Sequence, residues 1–170
     1  MLILPTFGII ILNMEEKHSF EPELVVRREY LERLNNLKHK KLIKIVTGIR
    51  RCGKSTVLEM FRAQLLNEGV EENQIIFLNL EEYENKDLRN PDALYSYIKE
   101  RLTSKMNYII LDEIQRVENF PDVVDSLYVK KNVDLYLAGS NSSLISSEIA
   151  TLISGRYVEI KKLPLSFQEF

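Results

Sequence analysis

The chain has 170 residues, 45% of them hydrophobic and 28% charged, enough apolar material for one well-buried domain without disulfide or metal staples. Its formal charge of −2 and isoelectric point near 5.8 give no bulk attraction for nucleic acid, so such contact would need a local basic patch. The single Cys52 excludes an internal disulfide and fits a reducing, cytoplasmic compartment.

Taken in chain order, Met1 to Leu12 is an apolar stretch too short to cross a bilayer, which takes about 20 residues. It carries neither the basic n-region nor the small-residue cleavage site of a secretory leader. Residues 1–24 are therefore set apart as an N-terminal arm or a mis-assigned start, no membrane partner is expected, and the fold is sought in residues 25–170. From Arg27 to Lys41, Tyr30, Leu31, Leu34 and Leu37 recur at helical spacing, and the basic run Lys38 to Lys41 suits a helix C-terminus. His18 and His39 lack a metal-ligand partner at short spacing and read as solvated.

Leu42 to Val46 predicts a first strand, and Lys54 to Asn67 a helix that runs through Val57, Leu58, Phe61 and Leu65 and closes at Gly69. Ile75 to Leu80 is a second strand. The charge-rich Glu81 to Asp87 reads as a solvated loop, with gating of a ligand as the other option. Asn90, Pro91 and Asp92 supply an N-cap, a first-turn proline and a first-turn acid, opening a helix through Leu94, Tyr97, Ile98 and Leu102 in which Tyr95 and Tyr97 are packing groups. Tyr108 to Leu111 predicts a third strand, Pro121 starts a helix through Val124, Leu127 and Tyr128, and Leu135 to Ala138 is a fourth strand. A helical pattern through Ile145, Ile149, Leu152 and Ile153 ends at Gly155, before a fifth strand at Tyr157 to Ile160. Five strands alternating with helices imply an α/β fold: a parallel sheet covered on both faces, with its ligand site at the C-terminal strand ends.

Between the first strand and its helix, Gly48-Ile49-Arg50-Arg51-Cys52-Gly53-Lys54-Ser55 spells G-x-x-x-x-G-K-S. This is the pattern of a phosphate-binding loop: glycines let backbone N–H groups face the phosphates, Lys54 supplies a charge, Ser55 a hydroxyl for Mg²⁺, and the helix dipole points at the same spot. ATP and Mg²⁺ are the ligands to expect, with Thr56 completing the nucleotide-binding segment. Arg50 and Arg51 either strengthen the positive field or face water; Cys52 is either filler or an oxidisable thiol. The third strand ends in Asp112-Glu113, which in this context assigns Asp112 to Mg²⁺ and Glu113 to the general base that polarises the attacking water.

These two motifs resemble the Walker A and Walker B boxes of AAA-type ATPases that carry a catalytic glutamate. The resemblance implies a P-loop NTPase three-layer sandwich with a five-stranded sheet in the order 5-1-4-3-2, and puts Ser140 and Asn141 at a polar sensor of the γ-phosphate or lytic water; both could instead cap the following helix. The segments Gly48 to Thr56, Leu111 to Arg116, Ala138 to Ser143, Ser154 to Tyr157 and Leu163 to Phe170 further resemble the ATPase domain of a widespread bacterial and archaeal family, over about residues 25–170. In that family a C-terminal domain of unknown function usually follows. That domain and the helical lid are expected to be absent from this chain. By the same resemblance Val25 to Glu29 lines an adenine pocket, with an ordinary helix entry as the alternative, and Arg156 lies near an arginine finger for a neighbouring subunit, with an ion-paired surface arginine as its alternative.

ATP hydrolysis coupled to conformational work on an unknown partner or effector domain is the leading expectation; whether that partner is a nucleic acid is unknown from the sequence, and a homo-oligomer is left open. A P-loop small-molecule kinase would need an arginine-rich lid, of which no sign is seen. A GTPase would need an N-K-x-D guanine reader, and Lys131-Asn132-Val133-Asp134 has the wrong order. The remaining alternative is a non-catalytic nucleotide-binding fragment.

Overall fold

A computed structural model of the chain describes residues 28–140 and 155–163. The N-terminal arm, Val25 to Arg27 of the adenine-pocket segment, Asn141, the helical pattern through Ile145 to Ile153, and Pro164 to Phe170 lie outside the described residues. Helix α1 (Arg28–Leu37) leads to strand β1 (Ile43–Gly48) and helix α2 (Lys54–Asn67), then β2 (Ile75–Asn79), α3 (Pro91–Arg101), β3 (Asn107–Asp112), α4 (Phe120–Tyr128), β4 (Val133–Ser140) and β5 (Tyr157–Lys161). Short 3₁₀ turns occupy Glu72–Gln74, Tyr83–Arg89 and Ile114–Arg116. The expected loop after β2 is thus partly a turn.

All strand pairs are parallel, in the order β2-β3-β4-β1-β5. This is the expected order read from the other edge. Because side chains alternate along a strand, each strand feeds two cores. Ile43 and Ile45 of β1, Ile76 and Leu78 of β2, and Leu135 and Leu137 of β4 pack with Leu94 and Ile98 of α3 and Val124 and Leu127 of α4. On the other face Val46, Ile110, Tyr136 and Ala138 meet Tyr30 and Leu34 of α1 and Val57, Leu58, Phe61 and Leu65 of α2. Both β1 and β3 are buried along their whole length. Continuous apolar runs are what a doubly covered parallel strand requires, and each fully buried aliphatic side chain contributes about 1.5–3 kcal/mol.

Helix α3 starts as its sequence predicts: the Asn90 side chain accepts from Ala93 N–H at 3.0 Å and Pro91 stands in the first turn. Tyr95 and Tyr97 pack against the first core. His39 is exposed, yet it is not merely solvated: its Nε2 meets Tyr108 Oη at 2.6 Å and its backbone N–H donates to Asp134 Oδ2 at 2.8 Å.

At the N-terminal strand ends, Lys44 of β1 is fully buried and forms an ion pair with Asp134 of β4, while donating to Lys40 O at 2.8 Å. Tyr136 Oη donates to the other Asp134 oxygen at 2.9 Å. A buried charge pair is tolerated when further hydrogen bonds hold its two groups, and here Lys40 O, Tyr136 Oη and the His39 N–H supply them. Burial, reinforced by Asp134, pushes the Tyr136 phenol far above its ordinary value of 10; burial also holds the Lys44 ammonium below its ordinary value of 10.5, outweighing the attraction of Asp134.

Above pH 10 the folded chain keeps the Tyr136 proton that the unfolded chain releases. The stability tied to this phenol is therefore complete below pH 10 and is lost as pH rises beyond it. In denaturant midpoints followed from about pH 8 to 11, the wild type should fall more steeply on the alkaline side than Tyr136→Phe, so that the gap between them narrows. Parallel curves would show that this phenol is not the linked group.

Candidate functional site

The C-terminal end of β1 runs directly into the loop, and the loop's shape follows from two glycines. A Cβ on Gly48 would lie 2.4 Å from the backbone oxygen of Lys162 and 2.7 Å from Cys52 Sγ. No side chain fits there. Gly53 caps α2 with φ +84°, a left-handed conformation in which glycine is unstrained. Cys52 is buried as filler, and its N–H closes the turn on Ile49 O at 3.3 Å. Just past the end of β5, Lys162 N–H donates to Thr47 O at 2.6 Å and the Lys162 ammonium lies 4.5 Å over the Tyr30 ring.

Lys54, first residue of α2, is 4% exposed, and its ammonium donates to the loop carbonyls of Gly48 and Ile49, each at 3.2 Å. The same nitrogen stands 3.9 Å from Glu113 Oε1. A cavity of about 380 Å³ opens between these groups, lined by Arg50, Arg51, Gly53, Lys54, Ser55 and Thr56 of the loop and by Glu81 and Glu113 across from it. Helix α2 points its N-terminal dipole end at this space, which favours an anion.

Asp112 ends β3, 1% exposed. Its Oδ1 accepts the Glu113 N–H at 3.0 Å, and its Oδ2 is buried without a hydrogen-bond partner among the described residues. An orphaned carboxylate oxygen, one residue before the Glu113 that lines the cavity, is a donor suited to a hard divalent cation, which takes few protein ligands and the rest from substrate and water. Glu113 itself has φ +52°, a left-handed conformation costly for a non-glycine residue and concentrated at functional sites.

Ser140, at the tip of β4, accepts from the Gln115 amide at 3.2 Å, and the same amide donates to Glu113 Oε2. The β4 tip and the acidic strand end are thus joined. Arg156 is not near the cavity. It pairs with Asp125 of α4, stands 5.7 Å from the Tyr128 ring, and its backbone oxygen accepts from Ile43 N–H at 2.7 Å, at the opposite ends of β1 and β5.

Sequence reading touched Glu81 only through the gating alternative for its loop and gave Gln115 no role. Glu81 Oε1 accepts from Arg50 at 3.0 Å and from Arg116 at 2.8 Å, so Arg50 is ion-paired across the cavity mouth, although its side chain is 76% exposed. Asn79 and Arg89 shape the turn that delivers Glu81: Asn79 Oδ1 accepts the Glu81 N–H at 3.0 Å and Arg89 Nε donates to Leu80 O at 2.9 Å.

Residues 40–170 match the AAA domain family. The chain belongs to that family. An uncharacterised protein of Haemophilus influenzae is 40% identical over 149 residues, 86% of this chain and 37% of its own length. An uncharacterised protein of Methanocaldococcus jannaschii is 34% identical over 131 residues, 75% of this chain and 28% of its own. The chain therefore spans well under half the length of these relatives. Among solved structures, a Cdc6p from Pyrobaculum aerophilum aligns with TM-score 0.59 and 14% identity, covering 89% of this chain and 49% of that one. A DNA polymerase III γ-subunit-related protein from Thermotoga maritima aligns with TM-score 0.54 and 14% identity, covering 82% and 47%. At such identities the likeness speaks for the fold, and the fold of this AAA domain is that of the P-loop ATPases. No described helix is long and apolar enough to cross a membrane.

The contact at Gly48 makes a direct prediction for the AAA domain. Gly48→Ala must displace backbone rather than a flexible side-chain end, so thermal melting should show a loss of roughly 1–3 kcal/mol. An unchanged melting temperature would mean that the loop does not pack as described.

Proposed function

We propose that this AAA domain binds ATP with Mg²⁺ and hydrolyses it, the hydrolysis being coupled to an effector domain or another partner. The observation that carries the reading is the buried, unpartnered Asp112 Oδ2, one residue before Glu113, which lines the cavity together with Lys54 and Ser55. Ser55 and Asp112 would hold the Mg²⁺, which when bound neutralises charge on the β- and γ-phosphates. Loop N–H groups and the α2 dipole bind the phosphates, and Lys54 turns from the Gly48 and Ile49 carbonyls toward them. Glu113, only 16% exposed, accepts the proton of the attacking water. Ser140 and Asn141 serve as the polar sensor at the γ-phosphate.

Adenine is the expected base, because the sequence carries no guanine reader. ATP and GTP titrations with Mg²⁺ should favour ATP, and Lys54→Ala should weaken both. Glu113→Gln should keep ATP affinity and lower turnover by about 10²–10⁴-fold, whereas Asp112→Asn should impair the Mg²⁺-dependent part of binding. Wild-type turnover in both acidic-site variants would refute the assignment.

In the same reading Arg156 acts on the γ-phosphate of a neighbouring copy, since β1 places it about 20 Å from its own loop at roughly 3.3 Å per residue. Release from Asp125 is then part of assembly. Turnover per molecule should rise with protein concentration, and mixing Arg156→Ala with Glu113→Gln protein should restore part of it, because a mixed interface pairs an intact base with an intact finger. Concentration-independent turnover with no recovery on mixing would leave Arg156 as a structural ion pair.

A further inference from the structure

Gln115 lies in the 3₁₀ turn Ile114–Arg116 that follows the acidic strand end, and no role for it emerges from the phosphate loop or the acid pair. Its neighbours explain its placement. Ile114 and Val117 are 0% and 2% exposed and belong to the core under α3 and α4, while Arg116 N–H closes the turn on Glu113 O and Val117 N–H on Ile114 O, both at 3.0 Å. With both flanks anchored and Glu113 set at φ +52°, the Gln115 side chain reaches back across the strand ends. Its amide nitrogen donates to Glu113 Oε2 and to Ser140 Oγ at 3.2 Å, a use for each of its two hydrogens.

The carbonyl end of the same side chain is different. Gln115 Oε1 is buried and has no partner among the described residues. Turning the amide over would set that oxygen against the Glu113 carboxylate, so the orientation is dictated by Glu113. An amide kept for structure alone would be satisfied at both ends, since a buried orphan carbonyl is costly. This one is satisfied only where it grips the carboxylate and the β4 tip.

We propose that Gln115 is a positioning residue: its amide ties the Glu113 carboxylate to Ser140, so that the direction in which the base points is set from the tip of β4. The proposal rests on the ATPase reading given above. It adds a part that neither the two glycine-lysine-serine and acid-pair motifs nor the β4 sensor contains. Glu113 Oε2 is occupied by the tether, which leaves Oε1, the oxygen near Lys54, to face the phosphate end of the cavity. Without the tether the side chain keeps its chemistry and loses its aim, a defect that belongs to turnover and not to binding.

The test measures single-turnover ATP hydrolysis and ATP affinity with Mg²⁺ for the wild type, Gln115→Met, Gln115→Glu, Ser140→Ala, the Gln115→Met/Ser140→Ala double variant and Glu113→Gln. Methionine keeps the length without the donors, and glutamate keeps the shape while exchanging donor for acceptor, so one of the two remains informative if the other folds poorly. Both should lower the hydrolytic rate about 10- to 100-fold, the worth of a hydrogen bond to a charged group, with ATP affinity changed by less than about twofold. Ser140→Ala should cost less in the Gln115→Met background than in the wild type, because the tether through which it acts is already gone. Strict additivity, an unchanged or faster rate, or losses that follow affinity and melting temperature would overturn the proposal while Glu113→Gln remains inactive. Should Glu113→Gln hydrolyse ATP like the wild type, the base assignment itself falls, and the positioning role falls with it.

Discussion

The site depends on one close approach: Gly48, at the end of β1, lies against the backbone of Lys162 at the exit of the neighbouring strand β5. The Lys162 N–H bond to Thr47 O fixes that approach from one side and buried Cys52 fills it from the other. A side chain on residue 48 would push the loop away from β5, and with it the first turn of α2 that carries Lys54. Strand pairing, loop curl and lysine placement are therefore one constraint. The Tyr30 hydroxyl, which accepts from Leu163 N–H at 3.2 Å, extends it to α1.

Across the cavity a second set of contacts organises the acids. β4 runs between β1 and β3, so its tip at Ser140 lies beside both the loop strand and the acidic strand. Only in that order can one glutamine amide touch both Glu113 and Ser140. Glu81 with Arg50 and Arg116 closes the outer rim, and because these side chains are exposed, the pairs contribute little to stability. Their effect is on charge: they hold an acid and two guanidinium groups at the mouth of the cavity.

Much of this was legible in the sequence, and what was not has definite causes. The strands could be read because burial on both faces demands uninterrupted apolar runs, as in Tyr108 to Leu111, and the loop because glycine, lysine and serine at fixed spacing serve one purpose. Asn90 and Pro91 announced the start of α3 by local chemistry. Glu81 and Gln115 were opaque for opposite reasons. Glu81 owes its place to guanidinium groups 31 and 35 residues away in the chain, whereas Gln115 owes its place to the left-handed backbone of Glu113, which no side-chain pattern encodes. The partners of His39 stand 69 and 95 residues away, and a lone histidine in a basic run gives no hint of them.

The buried Lys44, Asp134 and Tyr136 lie at the end of the sheet farthest from the phosphate loop, with the length of β1 between them. None of the three lines the cavity, and substitutions of Lys44 or Asp134 act first on the resistance of the fold to unfolding. The molecule accordingly offers a place to set its lifetime independently of its chemistry. Heat-sensitive forms, useful for switching such a protein off in a living cell, are best sought among the charged groups at the base of the sheet.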